Sequence, residues 1–114
     1  MCSKNELNIL LKKLADIYRE VYGEDIVRIV LYGSYARGTY DQYSDVDIVA
    51  IVNGDRAVLQ KKLKSVWDKS ADLELEYELI LSPTVIPWDE YEKYRHDIPY
   101  YRNIEREGVN IVAW

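Results

Sequence analysis

The stretch GSYARGTYDQYSDVD, residues 33 to 47, sets two glycines, a serine and an arginine a short loop ahead of Asp45 and Asp47. Gly33 permits a sharp turn where an apolar run ends. The amides after it would face outward at the start of a short helix begun by Ser34, a seat for an anion. Arg37 falls one helical turn after Ser34 on the same side, where it can add a charge-assisted fork to that anion. Gly38 then releases the helix. Asp45 and Asp47 open a run that is otherwise apolar, and strand alternation points both to one face, about 6.6 Å apart along the chain. Carboxylates this close push each other toward protonation unless a cation neutralises them. A divalent metal reconciles the two halves of the stretch, because magnesium takes oxygen ligands and shares its shell with substrate phosphates. Two such ions roughly 3.5 to 4 Å apart support in-line attack at phosphorus. Taken singly, Gly33, Ser34 and Gly38 make only a turn and cap, and Ser44 with Asp45 only a turn before a strand. It is their succession that points to phosphate chemistry.

Positioning these groups requires the elements around them. Ser3 followed by Glu6 makes a capping box, and Leu7, Leu10, Leu11, Leu14, Ile17, Tyr18 and Val21 recur at helical spacing until Gly23. That pattern predicts an amphipathic first helix. IVRIVLY (26–32) and VDIVAIV (46–52) are apolar on both faces, as strands covered from both sides are. Asn53-Gly54 ends the second strand, and Asp55 caps a helix through residues 65–69 with Leu59, Leu63, Val66 and Trp67 turned inward. LELEYELIL (73–81) alternates strictly and predicts a third strand, with Leu73, Leu75, Tyr77, Leu79 and Leu81 on one face and Glu74, Glu76 and Glu78 on the other. Ser82-Pro83 to Pro87-Trp88 reads as irregular. Short helices follow near residues 89–95 and over residues 99–107, stopped by Gly108, and NIVAW suggests a short final strand. The order predicts an α/β (α+β) fold, a small mixed sheet with helices packed against it, in a single domain over residues 1–114. Two-metal chemistry calls for a third carboxylate facing the aspartate pair, and the glutamate face of the third strand offers it.

Bulk properties narrow the functional classes. Acidic residues outnumber basic ones by 20 to 15, so the net charge of −5 disfavours stable nucleic-acid binding. Lys12, Lys13, Lys61, Lys62 and Lys64 fall in helical patterns as solvated faces. No apolar run nears the roughly 18 residues that span a bilayer, and the first residues lack a signal-peptide pattern, so a cytoplasmic location is expected. Cys2 stands alone as an incidental thiol, and His96 has no second histidine or cysteine to complete a metal site. Eleven tyrosines and three tryptophans against no phenylalanine suit a protein interface as well as a core. Trp88, Tyr100 and Tyr101 could line a base pocket but fit packing of the C-terminal segment on the sheet better. Self-association is left open.

With Gly33-Ser34-Tyr35-Ala36-Arg37-Gly38 and Ser44-Asp45-Val46-Asp47 in place, the chain resembles the minimal nucleotidyltransferases of the polymerase β-like superfamily. LEYELILSP and YRNIEREGV extend the likeness over nearly the whole chain. The resemblance implies transfer of AMP from ATP to a hydroxyl with loss of pyrophosphate, and two magnesium ions as cofactor. Gly33 and Ser34 would hold the β and γ phosphates with Ser44 on the same nucleotide site, Arg37 would support the triphosphate, and Asp45 and Asp47 would bind the metals. Glu78 stands where the family usually has an aspartate; it would bind the catalytic metal and help deprotonate the acceptor, with Glu76 as the fallback. The resemblance further implies a HEPN-domain toxin as partner, modified on a tyrosine, with this chain as its antitoxin. Because glutamate is one methylene longer than aspartate, the alternative is a weak or inactive nucleotidyltransferase-fold antitoxin that neutralises its partner by binding.

Overall fold

The computed structural model describes residues 4–41 and 44–111. Its elements run α1 (Lys4–Tyr22), a 3-10 turn (Gly23–Asp25), β1 (Ile26–Tyr32), α2 (Ser34–Arg37), β2 (Val46–Val52), α3 (Arg56–Tyr77), β3 (Leu81–Pro87), α4 (Trp88–Tyr94), α5 (Pro99–Glu107) and β4 (Val109–Asn110). The strands form one sheet in the order β3-β2-β1-β4. β2 is antiparallel to β1 and parallel to β3, so the sheet is mixed as expected.

β1 and β2 are apolar on both faces because helices cover both. Ile29, Leu31, Val46, Ile48, Ala50 and Val52 pack with the inner faces of α1 and α3, while Val30, Val49 and Ile51 pack with Tyr91 of α4 and Tyr101 and Ile104 of α5. Each fully buried aliphatic side chain contributes about 1.5–3 kcal/mol by leaving water. Two tyrosines stitch the first layer together: Tyr18 donates to the Thr84 carbonyl at 2.8 Å and Tyr22 to the Leu59 carbonyl at 2.8 Å. Among the described residues, no helix is long and apolar enough to cross a membrane.

Several expectations stand. Asp55 caps α3 by accepting from Ala57 N and Val58 N, and α5 spans the expected residues before Gly108. Ser3 of the capping box lies outside the described residues, and so does the end of NIVAW; β4 is Val109–Asn110, so it begins one residue earlier and takes only the first residue of that segment.

The third strand is the main correction. Residues 73–77 continue α3, and the strand that follows is Leu81–Pro87. Alternation in LELEYEL fits a helix equally well, because Leu59, Leu63, Val66, Ser70 and Leu73 already form a stripe with steps of three and four, and Tyr77 extends it. Leu75, placed inward by the alternating reading, is 81% exposed. Glu74, Glu76 and Glu78 therefore share no strand face: Glu74 accepts from Leu81 N at 3.0 Å, Glu76 lies 3.6 Å from Lys13 Nζ, and Glu78 is the left-handed C-cap of α3 at φ 53°. Trp67 is a second correction. It is about half exposed rather than inward, and its indole N–H donates to the Pro83 carbonyl at 2.9 Å. That contact shows how a segment with two prolines serves as a strand, since β3 lies at the sheet edge, where a missing N–H breaks no ladder.

These placements separate by experiment. Leu75→Lys is expected to change stability by no more than about 0.5 kcal/mol, whereas Leu73→Ala should cost about 2 kcal/mol or more. Urea denaturation of the two variants checks both; equal losses would restore the strand reading of this segment.

Candidate active site

β1 delivers Gly33, and β2 delivers Asp47, to the same end of the sheet. Tyr32, the last residue of β1, is the antiparallel partner of Asp47. The turn that follows closes onto the carboxylate: Gly33 has φ 76° and ψ −156°, and a Cβ there would stand 2.5 Å from Asp47 Oδ2. Only glycine tolerates both that backbone and that approach. The chain then makes a single helical turn. Arg37 N donates to the Gly33 carbonyl at 3.1 Å and Thr39 N to the Ser34 carbonyl at 3.0 Å, with Gly38 left-handed at the exit. No side chain caps the first turn of α2.

Asp45 sits just ahead of β2 and is exposed, while Asp47 is half-buried within it. Burial pushes the Asp47 carboxyl above its ordinary range, the Asp45 charge pushes it further, and Arg37 pulls it part of the way back. Asp47 therefore feels the charge of Asp45. Ser44 is held in the turn before them, accepting from Asp41 N at 3.0 Å.

α5 borders this site, a placement the sequence offered for Tyr100 only as the less favoured alternative. The Tyr32 and Tyr100 hydroxyls are 3.0 Å apart with their rings edge to face, and Arg37 Nη1 lies 3.2 Å from Glu107 Oε2. Burial first, then the hydrogen bond and charge shared with Tyr100 and the Asp47 charge, raise the Tyr32 phenol well above its usual range. Tyr32 had a signal, its place directly before Gly33. Glu107 had none and Tyr100 only its aromatic ring, because they arrive by a return of the chain some seventy residues later. Trp88 and Tyr101 pack the C-terminal segment on the sheet, as expected.

Glu78 is the third carboxylate that the resemblance implies. It is exposed at the end of α3, and among the described residues no group of three or more His, Cys, Asp or Glu side chains could hold a metal. Surface cavities of about 310 Å³ at Arg19 and Ile26 and about 300 Å³ at Leu11 and Val109 do not include the aspartates.

The α/β sheet thus sets Asp47, one residue after Val46 opens β2, against the Gly-Ser turn that leaves its antiparallel neighbour, with Asp45 just ahead of the strand. The profile of the nucleotidyltransferase domain matches residues 11–108, and the chain belongs to that family. Three proteins of Methanocaldococcus jannaschii are similar, each bearing the name "Putative protein adenylyltransferase". MJ0141 is 31% identical over 80 residues, covering 70% of this chain and 79% of its own length. MJ0604 is 29% identical over 98 residues, covering 86% and 90%. MJ1305 is 31% identical over 80 residues, but the chain spans only about half of it, 54%. A crystal structure described as "the toxin-antitoxin with AMP-PNP" shares the fold, with a TM-score of 0.55 and 16% identity, covering 94% of this chain and 73% of the other.

Proposed function

We propose that the chain transfers AMP from ATP to a hydroxyl, a tyrosine of a HEPN-domain toxin, and acts in the cytoplasm as that toxin's antitoxin. The observation that carries this reading is the contact of the Gly33 turn with the Asp47 carboxylate, which puts an anion seat against an acidic pair. The names of the similar proteins and the shared fold of a toxin-antitoxin crystallised with AMP-PNP support the choice of adenylyl transfer and of a toxin partner.

Gly33 and Ser34 hold the β and γ phosphates, Arg37 adds its charge to them, and Ser44 keeps the loop ahead of Asp45 in shape. An acidic pair whose Asp47 carboxylate lies against a residue without Cβ suits a hard divalent cation: Asp45 and Asp47 would hold magnesium, which would neutralise their charge next to a polyphosphate. A second ion would call for a further carboxylate, and among the described residues no group of three or more His, Cys, Asp or Glu side chains could hold a metal. The acceptor oxygen forms its bond to the α-phosphorus as the bond to the bridging oxygen breaks and pyrophosphate departs. At this open end of the sheet the acceptor's proton passes to water.

Glu78, an exposed helix cap where the resemblance calls for an aspartate, favours a second reading, an antitoxin that works by binding alone. Incubation with α-labelled ATP, magnesium and a candidate HEPN protein decides between them. Transfer to the partner that is lost in Asp45→Asn and kept within about threefold in exposed Glu78→Gln supports the enzyme. Protection of cells by a doubly substituted Asp45→Asn, Asp47→Asn chain, with no label in the partner, supports binding.

A further inference from the structure

Arg37 is subject to more than one demand. Its guanidinium pairs with Glu107 at 3.2 Å, its charge bears on Asp47, and the proposed function asks it to meet a triphosphate. α2 gives it little support, being four residues long and ending at left-handed Gly38. Ordering a free arginine side chain costs up to about 2 kcal/mol.

Glu107 is fixed far more firmly. Ile104, one turn earlier, is fully buried, and Gly108 N donates to its carbonyl at 2.9 Å. A Cβ on Gly108 would stand 2.3 Å from Val30 Cγ1, and Val109 pairs with Leu31. The end of α5 is thus clamped onto β1, two residues before the Gly33 turn. An exposed ion pair adds only about 0–1 kcal/mol to stability, so the bond matters more for where the guanidinium sits than for folding.

We infer that Glu107 is a positioning residue for the nucleotide site, holding the Arg37 guanidinium in place before the triphosphate arrives. The inference rests on the proposed role of Arg37 and extends it to an element whose pattern shows no phosphate motif. Coulomb repulsion alone argues the reverse, since removing an acid near a polyanion would tighten binding. The sign of the effect therefore discriminates.

Calorimetric titration of ATP and of AMP, with magnesium, tests it on the wild-type chain, Glu107→Gln, Arg37→Gln and the double variant. Glu107→Gln is expected to weaken ATP binding by about three- to tenfold through the lost preorganisation and to leave AMP unaffected. The double variant should bind ATP no more weakly than Arg37→Gln. Should Glu107→Gln unfold, Glu107→Asp, which keeps the charge on a shorter arm, should show a smaller loss of the same selectivity. Unchanged or tighter ATP binding, equal weakening of ATP and AMP, or additive losses would each overturn the inference while leaving the proposed function standing. A wild-type chain that binds no ATP would overturn both.

Discussion

Asp47→Asn should reduce adenylyl transfer by roughly 10³-fold or more, the scale of removing a principal electrostatic element from a catalytic centre, while leaving the protein at least as stable. The two halves of this expectation share one cause. Asp47 is half-buried, and both that burial and the Asp45 charge raise its carboxyl above the ordinary value. A carboxyl raised on folding opposes the folded state at neutral pH, because its ionised form is better accommodated in the unfolded chain, and this penalty fades as pH falls through the raised value. Asparagine keeps the shape and removes the charge. Thermal melting at neutral pH should therefore give a midpoint equal to or above that of the wild type, alongside the loss of label transfer. A lower midpoint would show that the carboxylate is engaged in native bonds, and retained transfer would remove Asp47 from the site.

Gly33→Ala should damage both folding and activity, which distinguishes it from the aspartate variant. The φ 76°, ψ −156° backbone belongs to a region that costs about 1–3 kcal/mol for a residue with Cβ, and the added methyl would meet Asp47 Oδ2 at 2.5 Å. Either the turn opens or the carboxylate swings away. A fall in melting midpoint on the order of 5–15 °C is expected, with label transfer down by at least about 10²-fold, the scale of losing one aligned electrostatic group. Gly23→Ala is the control, since Gly23 also has positive φ, at 60°, but a Cβ there meets nothing within 4 Å. It should lose about 1–2 kcal/mol and keep its transfer rate per folded molecule. Equal activity losses in both would mean that the contact with Asp47 has no special part.

What the sequence could reveal follows the range of the physics involved. The Gly-Ser turn, the aspartates opening β2, and strands apolar on both faces are local or periodic signals, and each survives intact in the fold. The end of α3 was not legible. No glycine or proline marks it, and Glu78 closes the helix in a left-handed conformation that glycine usually takes. With the stop hidden, the alternation of LELEYEL read as a strand, and the real strand was passed over because Pro83 and Pro87 look like loop punctuation.

The sequence by itself determined the family, the Gly-Ser turn and the aspartates at the start of β2, because those depend on residues near one another in the chain. Only the tertiary structure decided that Glu78 caps a helix rather than lying on a strand and that α5 brings Tyr100 to Tyr32 and Glu107 to Arg37. The reason is packing. Whether residues 73–77 are helix depends on the α1 face and the sheet they cover, and which side chains meet Arg37 depends on the clamp of Gly108 against Val30, neither of which is written in any local pattern.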